Sequence, residues 1–89
     1  MSEKKSVLVD IKGQQYSIKT DVDEAHVHSV AKLVNEQLSK IEQKMLTIST
    51  VNLMVLALMN ITSDYLQTRT ELEMLTDRLE QLNKLFSAH

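Results

Sequence analysis

Three spacings of hydrophobic residues follow one another along the chain. Val7, Val9 and Ile11 recur at every second position around Leu8 and Asp10, and Tyr16 and Ile18 repeat the alternation after the polar run Lys12-Gly13-Gln14-Gln15. A period of two belongs to a strand with one covered face, and Gly13, the sole glycine, takes positive φ without a Cβ penalty. The pattern predicts a β-hairpin over 7–19, preceded by a flexible N-terminus over 1–6. A lone hairpin is marginal in water, so its apolar face has to pack on the helices that follow or on another chain's sheet.

The spacing then lengthens to three and four. Val27, Val30, Val34, Leu38, Ile41 and Met45 form one stripe, with Lys32, Asn35, Glu36, Ser39, Lys40 and Glu42 on the other side. This is an amphipathic helix, expected over 22–46. Asp21 and Glu24 have the three-residue offset of a capping box, and Asp21, Asp23 and Glu24 complement the positive end of a helix dipole. The β-branched, hydroxyl-rich run Leu46-Thr47-Ile48-Ser49-Thr50 predicts a break that ends in a Ser or Thr cap.

From Val51 onward no proline or glycine interrupts the chain. Counting alternately three and four gives Val51, Met54, Leu58, Ile61, Tyr65, Thr68, Leu72, Leu75, Leu79, Leu82 and Phe86, the a and d positions of five consecutive heptads, of which only Thr68 is polar. Sustained heptads are the signature of a left-handed coiled coil. Leu53, Val55, Leu56, Ala57, Met59 and Leu66 add apolar surface outside this seam in its first half, which predicts burial on several sides there. Beyond Thr68 the seam narrows and is flanked by Arg69, Glu71, Glu73, Asp77, Arg78, Glu80 and Lys84. The expected fold class is therefore α+β: a globular head over 7–66, made of the hairpin, the first helix and the start of a long helix, followed by a coiled-coil rod over 67–89. The first helix is too short to cover the whole seam in a monomer, so the seam is expected to pair with a second copy. The e and g positions hold few complementary charges, and the direction of pairing stays open.

Composition narrows the function. With 89 residues and no cysteine, the chain has room for one small core and no disulfide to staple it, which again favours association. A formal net charge of -2 with acids and bases interspersed gives no footprint for nucleic acid, and three aromatic residues offer little to stack on bases. The charged start MSEKKSV lacks the apolar block of a signal peptide, and the apolar stretch 51–61 is far shorter than the ~20 residues of a membrane span, so a cytoplasmic protein without membrane contact is expected.

No nucleophile motif or phosphate loop is present, so neither an enzyme, a cofactor nor a small-molecule substrate is expected. His26 and His28 lie two apart and point to different helix faces, unlike the i, i+4 pair that shares a metal; a pH-sensitive surface is their functional alternative. Met45, Met54 and Met59 read as core fillers at helical spacing. Lys12, Lys32, Lys40 and Lys44 are the candidate contacts for an acidic partner, against the simpler reading of a solvated charged face.

The order of these motifs resembles that of the ZapA family of bacterial cell-division proteins over essentially the whole chain. The matching residues are Val9, Ile11, Gly13, Tyr16 and Ile18 in the hairpin, Val27, Val30, Ala31, Val34 and Asn35 in the first helix, and Leu58, Asn60, Ile61 and Leu66 in the second. The resemblance implies a cytosolic adaptor at the mid-cell division ring that binds the tubulin-like GTPase FtsZ. It also implies bundling of FtsZ filaments by a homodimer able to pair into a homotetramer with heads at both ends. Longer members carry a more extended C-terminal rod, so the dimer is the firmer expectation here. Gln14 stands where some relatives have a basic residue, which leaves Lys44 as the best-matched basic position. The alternative reading is a self-associating coiled-coil regulator of another protein or of nucleic acid.

Overall fold

The computed structural model describes residues 3–87. Met1 and Ser2, part of the terminus expected to be flexible, and Ala88 and His89, at the end of the expected rod, lie outside the described residues. Four elements follow in order: β1 (Lys5–Ile11), β2 (Gln14–Thr20), α1 (Glu24–Lys44) and α2 (Thr50–Ser87). A two-strand antiparallel hairpin is thus followed by two helices, the second of them 38 residues long, or about 57 Å at ~1.5 Å per residue. The chain divides by its internal packing into two units, one up to Leu58 and one from Met59 onward.

In the first unit the strands pair from Ile11↔Gln14 at the turn to Lys5↔Thr20 at the open end. Pairing therefore takes in Lys5 and Ser6, two residues more than the alternation alone marks. Lys12 and Gly13 form a two-residue connection with φ of 53° and 82°. Positive φ at both central positions is the requirement of the hairpin turn whose twist matches that of the strands. Val7 and Val9 are buried on the inner face, opposite Ile18 and Tyr16, while Leu8 points outward.

Helix α1 packs on β1, bringing Ala31 and Val27 against Val7 and Val9. A second cluster joins Leu38 and Ile41 of α1 to Leu53 and Ala57 of α2, and Ile11 packs against both clusters. Val30 and Met45, which the spacing groups with the core, are exposed, whereas Ala31 is buried. The small Ala31 side chain sits where the helix meets the sheet, and the stripe's centre shifts toward it.

The helix ends are set by local hydrogen bonds. The capping box expected from Asp21 and Glu24 does not form: Asp23 is the N-cap, without a side-chain cap bond, and its carbonyl accepts from the Val27 N–H at 3.1 Å. The Val22 N–H donates instead to Thr20 Oγ1 at 3.0 Å, which bends the chain at Asp21 and Val22 between β2 and α1. At the other end the Met45 N–H reaches the Ile41 carbonyl, and α2 begins on Ser49, whose hydroxyl oxygen accepts from the Asn52 N–H at 3.2 Å. Ser49 thus supplies the hydroxyl cap anticipated for the break.

Candidate functional site: an uncovered heptad seam and a lysine-bearing face

Two surfaces carry the candidate residues. The first is α2. Within the unit up to Leu58, α2 turns Leu53 (0% exposed) and Ala57 (4%) toward α1. These residues lie four apart on one side of the helix, at heptad positions c and g. The seam is offset from them: Val51 and Leu58 are exposed and Met54 is half-buried. Among the additional apolar residues, Val55, Met59 and Leu66 are also exposed, so the single chain buries this helix on one side and not on several.

In the unit from Met59 onward, Ile61 is half-buried, and Tyr65, Thr68, Leu72, Leu75, Leu79, Leu82 and Phe86 are all exposed, the large apolar ones by 45% (Leu82) to 75% (Phe86). Such a run of apolar side chains in water is uncommon in a stable monomer and marks a surface for association. Thr70 and Thr76 donate their hydroxyls to the Leu66 and Leu72 carbonyls one turn back, and Arg69 Nε lies 3.7 Å from Glu73 Oε1. These polar side chains find their partners along the helix itself.

The second surface lies on the head. Asn35 of α1 fastens the hairpin turn: its Nδ2 donates to the Asp10 carbonyl at 2.7 Å, and its Oδ1 accepts from the Lys12 N–H at 2.9 Å. Asp10 Oδ1 accepts from the Gly13 N–H at 2.9 Å, and Lys12 Nζ lies 3.3 Å from Glu42. Beside this clamp is a shallow polar depression of about 750 Å³ whose rim includes Lys32, Lys40, Glu36 and His28. Of the four candidate lysines, Lys32 and Lys40 therefore share one depression, and Lys12 is tied to its edge through Asn35. Lys44 sits in the last turn of α1, favourably placed at the negative end of the helix dipole, one turn beyond Lys40 and about 40° around the helix from it.

Spacing puts Asn35 on the solvated side of α1, and the clamp is not legible from it. The signal available was an amide at the edge of the stripe, between Ala31 and Leu38, in a chain with one glycine turn to hold. The two histidines diverge: His28 Nε2 is 3.5 Å from Glu24, while His26 borders an apolar groove of about 290 Å³ between β2 and α1, with Tyr16, Ile18, Val22 and Val30. Among the described residues no group of three or more His, Cys, Asp or Glu side chains is placed to hold a metal, and no helix is long and apolar enough to cross a membrane.

A hairpin-and-helix head whose last helix continues as a long heptad-bearing one defines a class of small α+β proteins built around that helix. The family model described as cell division protein ZapA matches residues 7–86, and the chain belongs to the ZapA family. Cell division protein ZapA of Geobacillus sp. strain WCH70 is 34% identical over 79 residues, covering 89% of this chain and 91% of its own length. That of Bacillus licheniformis is 33% identical over 79 residues, covering 89% and 93%. The solved structure of a mutant ZapA dimer from Geobacillus stearothermophilus superposes with a TM-score of 0.73 at 30% identity, covering 90% of this chain and 93% of that one.

Proposed function

We propose that the protein is a cell-division adaptor, acting without catalysis, that self-associates through the heptad seam of α2 and binds FtsZ filaments with its heads. The observation that carries this reading is the uncovered seam, because the head's packing takes Leu53 and Ala57 and leaves Val51, Leu58, Tyr65, Leu72, Leu79 and Phe86 in water. Membership of a family named for cell division supports the reading, and the setting we propose is the cytoplasmic division ring at mid-cell. The proposed seam comprises Val51, Met54, Leu58, Ile61, Tyr65, Leu72, Leu75, Leu79, Leu82 and Phe86. Lys32 and Lys40, with Lys12 at their edge and Lys44 one turn beyond Lys40, are the proposed filament contacts.

Paired heads cross-link. Each head that binds one filament raises the effective concentration of its partner near a second filament, so bundling follows from two weak contacts without a new one. A homodimer suffices for this, and a homotetramer adds span. The test is sedimentation of polymerised FtsZ with wild-type protein and with Leu79→Glu. Wild type is expected to pellet with bundled filaments and the variant to lose bundling. Absence of wild-type co-pelleting removes FtsZ as the partner.

A further inference from the structure

We propose that β2 pairs edge to edge with the β2 of a second copy, antiparallel about Ser17, joining two hairpins into one four-stranded sheet. The contact lies on the head and is separate from the heptad seam. It shares with the reading above only the premise that the chain self-associates.

The residues that flank a two-residue hairpin turn exchange their backbone N–H and C=O groups, and the exchange recurs at every second pair. Ile11↔Gln14 flanks the turn, so Gln14, Tyr16, Ile18 and Thr20 direct these groups to β1, while Gln15, Ser17 and Lys19 aim theirs away from it. The same rule turns the Asp10 carbonyl outward on β1, where Asn35 meets it. The two edges therefore differ. Asn35 interrupts the β1 edge beside the turn, and α1 packs on β1 while leaving β2 uncovered. Among the described residues the backbone groups of Gln15, Ser17 and Lys19 find no partner on the β2 edge. Beside that edge Tyr16 and Ile18, with Val22 and Val30 across the apolar groove, are exposed. Open backbone and uncovered apolar side chains on one strand are satisfied together by another strand.

Self-complementarity identifies that strand as β2 itself. With Ser17 against Ser17, Gln15 meets Lys19 on both sides, so three residue pairs exchange hydrogen bonds and no like charges meet. The closer pairs between them set Tyr16 against Ile18 twice on the apolar face, an aromatic ring on a β-branched side chain, which is a favoured cross-strand pair. A slip of two residues one way puts Gln14 against Ile18 and brings Lys19 onto Gly13 of the turn. The opposite slip puts Tyr16 against Thr20 and Gln15 against Asp21, past the end of the strand. Either slip leaves two hydrogen-bonded pairs in place of three.

The two-fold axis relating the strands runs perpendicular to the sheet, so both α1 helices stand on one face. Neighbouring strands lie about 4.8 Å apart, which separates β1 from its copy by about 14 Å, and helices roughly 10 Å wide packed on them come side by side. Val30 borders the groove and Leu33 follows one turn later. Both are exposed in the single chain, and in the pair they flank the interval that Tyr16 and Ile18 fill. Because the same edge serves both copies and Asn35 interrupts the other edge, the contact closes at four strands and does not grow into a fibre.

Amide hydrogen exchange in the full-length protein reads this contact without a substitution. In a lone hairpin the Ser17 and Lys19 N–H groups face water and exchange freely; in the pair they donate to the second copy and are expected to exchange about tenfold more slowly or slower still. Ser17→Pro lacks the outward N–H but keeps the ladder to β1, and is expected to lose the protection at Lys19. As an independent measurement, single thiols are introduced into a chain that has no cysteine. Ser17→Cys places two thiols in one cross-strand pair with Cα atoms about 5.5 Å apart, within disulfide reach, whereas Ser6→Cys on β1 stays about 14 Å or more from its copy. Mild oxidation is expected to give a covalent dimer from Ser17→Cys and none from Ser6→Cys. In a wild type that is dimeric by mass, free exchange at Ser17 and Lys19, or cross-linking of Ser17→Cys no faster than Ser6→Cys, overturns the shared sheet and leaves the α2 seam standing. A monomeric wild type overturns self-association, and this contact with it.

Discussion

Asn35 and Lys12, 23 residues apart, meet at the hairpin turn, where the Asn35 amide oxygen accepts from the Lys12 backbone N–H at 2.9 Å. The same amide donates to the Asp10 carbonyl at 2.7 Å, so one side chain of α1 holds both sides of a turn that has a lysine at φ 53°. Local preference does not favour that lysine, because positive φ is uncommon for a residue with a Cβ. A bond from the adjoining helix compensates, and the turn's lysine side chain is carried to Glu42.

Removing the amide should loosen the turn without emptying the core. Asn35→Ala is expected to lower stability by about 1–3 kcal/mol through two lost hydrogen bonds. Thermal unfolding at fixed protein concentration checks this, since mass action moves the midpoint of an associating protein. An unchanged midpoint would mean that water replaces the amide without loss.

Gly13 separates conformational cost from steric cost. A Cβ built there meets nothing within 4 Å, yet φ is +82°. Gly13→Ala should therefore cost about 1 kcal/mol from backbone strain alone, and Gly13→Asn clearly less, because Asn tolerates this region. Equal losses in denaturant unfolding would contradict that assignment.

The two sides of α2 should respond to different assays. Leu53→Ala opens a cavity at a fully buried site and is expected to cost about 2–5 kcal/mol of head stability. Leu72→Glu or Leu79→Glu places like charges in one layer of the proposed pair and should dissociate it. Sedimentation velocity and far-ultraviolet dichroism, read together, distinguish them. Unchanged mass for both glutamate variants would refute the seam as the pairing surface.

Charge reversal on the head tests the filament contact. Lys32→Glu with Lys40→Glu should reduce co-pelleting with FtsZ polymer while leaving the dimer intact. Lys44→Glu alone should do less by this reading, since Lys44 lies one turn beyond Lys40 and outside the depression. If Lys44→Glu has the larger effect, the contact lies there and not at the depression beside Asn35.

Periodicity made the hairpin and both helices legible, because each depends on spacing within one segment. Ser49 was legible for the same reason: a hydroxyl before an apolar-periodic run has few other uses. What spacing missed depends on bonds and packing that it does not encode, one local and the others between distant residues. The Asp21–Glu24 offset suggested a box, but the Thr20 hydroxyl takes the Val22 N–H and the helix starts on Asp23. Val30 fits the stripe as well as Ala31 does, and only the position of β1 decides that the smaller residue is covered. The Asn35 clamp joins residues 25 and 23 positions apart, beyond any periodic signal.

Leu53 and Ala57 occupy one side of α2 and the seam another, so the side chains that fold the head are not those that would choose its companion. Divergence can then proceed unevenly. After a duplication, substitutions on the exposed side of α2 would let two copies stop recognising each other while both keep the same head.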